Sequence, residues 1–288
     1  MLLKRSTIQL LRFPFSFFLM PVYWFALSWV PGIDVGHAAL IFFIIHFLVY
    51  PSSNGYNSYM DRDMGSIGGI EHPLLPEKEL YYVTILLDLL AIGLSLFISL
   101  DFTLLITCYI SCSRLYSYRG IRLKKYAVGG YLTVVLNQGG LLFLMVFLGV
   151  NTAVAPGIPW AGMLAACCLI GGFYPITQVY QHRADRQDGV RTMSMLLGVR
   201  GTFVFCALMY LAAFGILFWH YNQSGELKLF GVLQLFFLPV LLFFFSWVLA
   251  VWKDAGKADF KHTMRMNWLA SGCTNLGFIT ILILKKLG

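Results

Sequence analysis

The chain repeatedly offers apolar runs close to the roughly 20 residues that a helix needs to cross a hydrocarbon layer, and this recurrence limits what it can fold into. Nine such runs read at 12–30, 37–56, 80–99, 102–118, 128–149, 160–180, 203–221, 229–250 and 267–284; the fourth is the weakest. Inside a bilayer no water satisfies a free peptide group, so each run must be helical there. Of 288 residues 59% are hydrophobic and 12% charged, about half the charge with which a soluble domain covers itself. A single soluble core hiding all nine runs is disfavoured, and the expected fold class is all-α: a polytopic membrane protein with nine transmembrane helices.

Charge gives the bundle a direction. Counted from an inner N-terminus, 18 of the 21 lysines and arginines fall on one side, and only Lys228, Lys285 and Lys286 on the other. Such an inward bias predicts a cytoplasmic N-terminus and a C-terminus on the opposite side, in the inner membrane of a prokaryote. It also accounts for most of the net charge of +8, and with no reading module nucleic acid is not expected as a partner. The first run starts with Lys4, Arg5 and Arg12 and lacks a small-x-small cleavage pattern, so it reads as a retained span. The six cysteines have no metal-ligand spacing and read as small packing residues. One transmembrane domain over 1–288 is expected, with inner-side cap loops at about 57–79, 114–127 and 181–202 and no obligate protein partner.

Two apolar helices end in polar stretches on the inner side, "NSYMDRDMGSIGG" from Asn57 and "QHRADRQDG" from Gln181. Asn57 and Asp61 are four apart and share a helix face, as do Gln181 and Asp185, with Asp63 and Asp188 just beyond. Together the two ends would form an oxygen-rich pocket suited to Mg²⁺, a hard cation that keeps waters and takes other ligands from phosphate. Solvated helix ends are the alternative for either stretch alone. That alternative fits the pair less well, because Asn57 and Gln181 lie near the membrane boundary, where an unpartnered polar group is costly. Arg62, Arg122, Lys124, Lys125 and Arg186 surround the acids, with Arg114, Arg119, Arg183 and Arg191. They read either as ordinary inner-side loops or, beside a magnesium pocket, as a diphosphate site. Gly65, Gly68 and Gly69 would let a loop turn over the pocket.

These stretches resemble the motifs of the UbiA-type superfamily of intramembrane prenyltransferases. In "NSYMDRDMG", Asn57 and Asp61 align with the first and third named positions of N-D-x-x-D-x-x-x-D, and "QHRADRQDGVRT" matches D-x-x-x-D with Asp185 at the second acid. "YSYRGIRLKK" echoes the basic stretch after the fourth helix through Tyr116, Ser117, Arg122, Leu123 and Lys124. The departures are Ser58 and Gly65 in place of two acids of the first motif and Gln181 in place of the first acid of the second. The resemblance implies nine helices around a central cavity, and Mg²⁺-assisted ionisation of a prenyl diphosphate whose allylic cation is captured by a small aromatic, quinone-precursor or lipid acceptor. It implies metal ligation by Asn57, Asp61 and Asp185, with Gln181 a weakened ligand, and diphosphate contacts from Arg122 and Lys124. Lys125, Arg62, Arg186, Asp63 and Asp188 join these sets by position alone.

Two further readings stay open, a terpene cyclase of the same superfamily and a non-catalytic protein that binds or transports prenyl lipids. Asn137, near mid-span, could orient an acceptor or bond a neighbouring helix. His46 reads as structural, and Asp88 reads as lying near solvent through a shift of its span boundary. The polar segment from Lys253 to Asn267 reads as a membrane-surface loop.

Overall fold

The computed structural model describes residues 3–153 and 157–287 of the chain. Seven helical rods are long and apolar enough to cross a membrane: α1 (Arg5–Leu27), α2 (Val35–Asp61), α5 (Ala127–Val150), α6 (Trp160–Gln187), α7 (Met193–Gln223), α8 (Leu227–Lys253) and α9 (Phe260–Lys286). Two helices of 18 residues, α3 (Lys78–Ser95) and α4 (Leu100–Ser117), complete the bundle and are each about 27 Å long. The expectation of nine crossings is thus met by length and composition for seven rods, while α3 and α4 carry more polar residues than a lipid-exposed span tolerates freely.

Lipid and protein faces separate on the outer rods. On α8 the exposed side chains Leu235, Leu238, Leu242, Phe245 and Leu249 recur at steps of three and four, so one stripe faces outward. Its opposite face buries Phe237, Val240, Phe244 and Trp247. In the core Phe25 stacks on Phe278 at 4.6 Å and meets Phe143 edge-on at 5.0 Å, tying α1, α5 and α9 together.

The bundle has two ends. At one, the start of α1 meets the loop after α2: Gln9 Oε1 accepts from the Leu74 N–H at 2.8 Å, and Lys4 pairs with Glu77. At the other, Ile33 bridges Asn151, Trp29 stacks on His220 at 3.8 Å, Lys285 pairs with Glu226 at 2.9 Å, and Lys286 donates to the Pro31 carbonyl at 2.7 Å. The two described ends of the chain therefore lie at opposite ends of the bundle. The first end, which also gathers residues 57–70, 114–126 and 181–192, is called the cap end below.

Three interruptions shape the cavity-facing rods. Pro51 cannot donate to the preceding turn, and the helix widens into a π segment over Ile44–Val49 before α2 resumes. A second π segment covers Val135–Leu141 in α5. There Gly139 lies against α6 so closely that a Cβ would stand 2.8 Å from the Cys167 backbone, which only glycine avoids. In α6 Pro175 opens a 3-10 segment, Pro175–Gln181, ahead of the last helical turn.

Asp88 corrects an expectation. Rather than standing free in solvent, its carboxylate is half-buried against the Arg114 guanidinium, with Arg114 Nε donating at 2.8 Å. Arg114 also donates to Thr84 Oγ1 at 3.2 Å and Ser52 Oγ at 3.0 Å, and its guanidinium lies 4.0 Å from the Tyr56 ring. A charged pair this deep is favourable only when both partners are present and bonded, so it locks α2, α3 and α4 in one register. His46 is structural, as expected: it is buried, bonds the Phe42 carbonyl at 3.0 Å and stacks on that ring. Asp88→Ala is expected to destabilise the fold by about 3 kcal/mol, because Arg114 would be stranded. Thermal unfolding in detergent checks this, and Asp88→Leu with Arg114→Met is expected to recover much of the loss.

Candidate functional site

Between the cap ends of the rods lies a cavity of about 230 Å³, walled by α1, α2, α4, α5 and α6, with Asn267 of α9 on its lining. Both polar helix ends read from the sequence border it: Asn57, Asp61 and Asp63 from one, Gln181 and Asp185 from the other. The last turns of α2 carry Asn57 and Asp61 on the cavity face, and Arg62 then takes a left-handed conformation (φ 54°) that turns the chain away. Asn57 donates through Nδ2 to Ser117 Oγ at 2.8 Å, so its carbonyl oxygen is the atom left for a ligand. Gln181 donates through Nε2 to the Ser66 carbonyl at 3.2 Å, which likewise leaves Oε1.

The carboxylates are heavily screened from water. Asp61 pairs with Lys124, and Arg122 approaches its Oδ1 at 3.5 Å without forming a hydrogen bond. Asp61 Oδ1 and Asp185 Oδ2 are buried and have no hydrogen-bond partner. Burial, reinforced by the neighbouring charge of Asp61, raises the Asp63 carboxyl above its usual range. Oxygen atoms stripped of water and unpaired are costly, and a hard cation is the partner that satisfies several at once. Among the described residues no three His, Cys, Asp or Glu side chains converge on one metal position. The oxygens left free at the cavity are those of two carboxylates and of the Asn57 and Gln181 amides. The substituted motif positions match this thinner set: Ser58 is buried with an unpartnered hydroxyl, and Gly65 lines the cavity with open space where a side chain would stand.

The basic residues divide into two groups. Lys124 lines the cavity. Arg122 is buried beside it but is turned to Asp188, pairing with the carboxylate and donating to its backbone carbonyl at 3.0 Å. Arg119 grips the same Asp188 at 3.0 Å and also donates to the Met60 carbonyl at 2.7 Å. Burial pushes the Asp188 carboxyl upward, but the hydrogen bonds from Arg122 and Arg119 outweigh it and hold the group below its usual range. Asp188 is thus a clasp between cap segments and does not line the cavity, contrary to its expected place among metal ligands. Arg62, Lys125 and Arg186 also stand off the lining, because Arg62 and Arg186 are exposed and Lys125 Nζ lies 4.9 Å from the Tyr126 ring.

Several lining residues escaped sequence reasoning. Arg12 reads in the sequence only as an inner-side charge, yet it is 8% exposed and borders the cavity. Its left-handed backbone (φ 49°) ends the first turns of α1, and its guanidinium donates to the carbonyls of Gly68 at 3.2 Å and Asn54 at 3.1 Å. Nε is left unpartnered. The signal in the sequence was an arginine followed by Phe-Pro-Phe, a break inside an otherwise apolar run. Asn54 and Asn267, each buried with an unpartnered amide atom, also line the space. Asn137, which the sequence did single out, faces it from the π segment of α5 and donates to the Tyr109 carbonyl at 3.1 Å, leaving Oδ1 free.

The glycine loop is folded down over this space. Ile67 and Ile70 bridge each other, Gly69 adopts a positive φ of 86° to close that turn, and Gly68 packs so tightly on Phe15 that a Cβ would stand 2.8 Å from the ring. Together with the bonds from Arg12 and Gln181 to its carbonyls, these contacts hold residues 65–68 as one wall of the cavity.

A model of the UbiA prenyltransferase family matches residues 18–269. Among solved structures, a UbiA homolog from Archaeoglobus fulgidus bound to DMAPP and Mg²⁺ superposes with a TM-score of 0.71 at 18% identity, over 97% of this chain and 99% of that one. The apo structure of a UbiA homolog from Aeropyrum pernix K1 gives 0.70 at 17% identity, over 93% and 98%. A structure described as digeranylgeranylglyceryl phosphate synthase gives 0.59 at 18% identity, over 96% and 98%. No curated protein matches the chain. At such identities the solved structures speak for the fold, whereas the family match spans most of the sequence, both polar helix ends included, and the chain belongs to the UbiA prenyltransferase family.

Proposed function

We propose that the chain transfers a prenyl group from its diphosphate to a small aromatic, quinone-precursor or lipid acceptor within the membrane, from a cytoplasmic cap in a prokaryotic inner membrane. The observation that carries this reading is the pair of buried, unpartnered carboxylate oxygens of Asp61 and Asp185 on the same cavity as Lys124 and Arg12. The homolog described as bound to DMAPP and Mg²⁺ points the same way. Asp61 and Asp185 would hold Mg²⁺ with the free amide oxygens of Asn57 and Gln181, and Asp63 stands beside them. When bound, the ion supplies charge neutralisation for a departing diphosphate.

The chain's own groups account for the rest of the chemistry. Lys124 offers N–H donors at the polar wall, where they complement the leaving group. Tyr116 and Tyr174, bonded to each other through their hydroxyls, and Phe15, Tyr109 and Phe173 give the cavity aromatic walls. Their π faces attract an allylic cation without offering it a strong nucleophile. The free Oδ1 of Asn137 can accept from an acceptor hydroxyl and so orient it. Residues 65–68 and the Asp188 clasp keep water away from the cation, which would otherwise be lost as the alcohol.

Purified protein in detergent, given Mg²⁺, prenyl diphosphates and pooled acceptors, is expected to yield acceptor-plus-prenyl masses. Asp61→Asn, which keeps an acceptor for Lys124, and Asp185→Ala are each expected to lower turnover about 100-fold with the helical bundle retained. Removing Mg²⁺ with EDTA is expected to stop turnover and adding it back to restore it. Normal turnover in both variants would overturn the reading, an acceptor-free hydrocarbon would indicate cyclisation, and binding without diphosphate release would indicate transport. A second outcome concerns pH. Because Asp188 has a lowered folded-state pKa, its clasp contributes stability that is present above the unfolded carboxylate value of about 3.9 and lost as pH falls through the folded value. Amide exchange over residues 186–192 is expected to speed up only in that acid window, and Asp188→Asn is expected to speed it at neutral pH and raise the share of donor lost to hydrolysis.

A further inference from the structure

The last turn of α6 and the first turn of α7 are each set apart from the rod that carries them. In α6 the 3-10 segment Pro175–Gln181 interrupts the regular ladder ahead of residues 182–187. In α7 Gly198 takes a positive φ of 69°, which separates residues 193–197 from the rest of the helix. The connection between the two turns at Gly189, also at a positive φ of 68°. Asp185 rides on this arm, and its own side chain does little to hold it. Oδ2 is buried and unpartnered, and among the described residues Asp185 has no ion pair of the kind that Lys124 gives Asp61. The direction of its carboxylate therefore depends on what fixes the arm.

One buried serine gathers the arm. Ser194 is 0% exposed, and each of its polar groups is engaged. Its Oγ lies 2.7 Å from His182 Nε2 and 3.3 Å from Thr192 Oγ1, its N–H donates to Gln178 Oε1 at 3.4 Å, and its carbonyl accepts from Thr202 Oγ1 at 3.3 Å. Of these four contacts the one with His182 is the shortest, and it is the one that reaches the turn carrying Asp185. His182 does not line the cavity, whereas Gln181 before it and Asp185 three residues on both do. A bond from the far side of a turn to a neighbouring element sets how that turn is rotated about its axis, and with it where the ligand oxygens point.

We propose that His182 is a positioning residue for the metal: its bond with Ser194 fixes the rotation of the α6 end that presents Gln181 and Asp185 to the cavity. The role rests on the transfer reading above and deepens it, since Asp61 is steered by its own cation and Asp185 by the backbone that carries it. It differs from the work of Asp188, which ties the arm across to the connection after α4, whereas His182 ties α6 to α7 behind the arm. Gln178 and Thr192 meet the same serine and line the cavity, so the node also holds two side chains of its wall.

The test uses the full chain in detergent with Mn²⁺ alone as the probe, its free form counted by electron paramagnetic resonance. His182→Ala is expected to weaken Mn²⁺ binding about tenfold, as removing a group that orients a metal ligand does, and to speed amide exchange over residues 182–187 in the metal-free protein. His182→Gln, whose amide can place a hydrogen-bonding atom near the former Nε2, is expected to restore most of the binding. Ser194→Ala is expected to match His182→Ala, and the double variant to bind no more weakly than either, because all three lack the same bond. Raising Mg²⁺ is expected to shrink the turnover loss of His182→Ala, a split between metal affinity and kcat that general loosening of the bundle does not produce. Mn²⁺ binding unmoved in His182→Ala, a glutamine variant as weak as the alanine one, or losses that add in the double variant would each overturn the role while leaving transfer intact. Parent protein that binds no Mn²⁺, or Asp185→Ala that binds it as well as the parent, would overturn the metal reading and this role with it.

Discussion

A carboxylate at the cap end of a membrane bundle must be neutralised by something, and Asp61 sets the terms for the rest of this structure. Its side chain is almost wholly shut off from solvent, with Lys124 on one oxygen and the other oxygen unbonded. Attraction between opposite charges grows as the surroundings lose water, and so does the cost of leaving either one alone. Lys124 sits in the connection after α4, so neutralising Asp61 brings that connection onto the end of α2. The adjoining Arg119 and Arg122 then reach Asp188 and draw in the segment after α6. Three stretches far apart in sequence are thereby assembled over one cavity by a chain of charges that begins with a single buried acid.

The same logic runs through the interior. Arg114 and Asp88 neutralise each other between α2, α3 and α4, and Arg114 lies one helical turn before Ser117, the residue that fixes the Asn57 amide. The register of α2 against α4 and the orientation of Asn57 are thus consequences of one ion pair. Both π segments work in the same direction. Each widens a helix beside the cavity, one ahead of Ser53, Asn54 and Asn57 and the other at Asn137, and offers polar side chains to the space inside rather than to lipid.

Much of this was legible in the sequence because it follows from spacing or from exclusion. Apolar runs of bilayer length announced the rods, and amide and acid four residues apart announced the two polar helix ends that the cavity joins. What could not be read depends on directions that spacing leaves free. Arg12 looked like any inner-side cation, because its inward turn comes from a left-handed backbone next to Pro14 and not from helical periodicity. Asp188 looked like Asp63, its counterpart beyond the other helix end, but only Asp188 meets two arginines, and those arrive from a different connection. Asp88 looked misplaced in a span until Arg114, 26 residues on, supplied its charge.

The thinned motifs bear on the charge balance of the cap. Where a family pattern has acids, this chain has the buried hydroxyl of Ser58 and the bare backbone of Gly65, so fewer negative charges crowd the cap. Asp61 is compensated by Lys124 and, at 3.5 Å, by Arg122, and Gly68 of the glycine loop rests against Phe15. Under this loop lies the polar cavity of about 230 Å³, lined by Asp61, Asp63 and Asp185. The same side-chain exchanges therefore lower the negative charge at the cap and leave Asp61 balanced by the cations beside it.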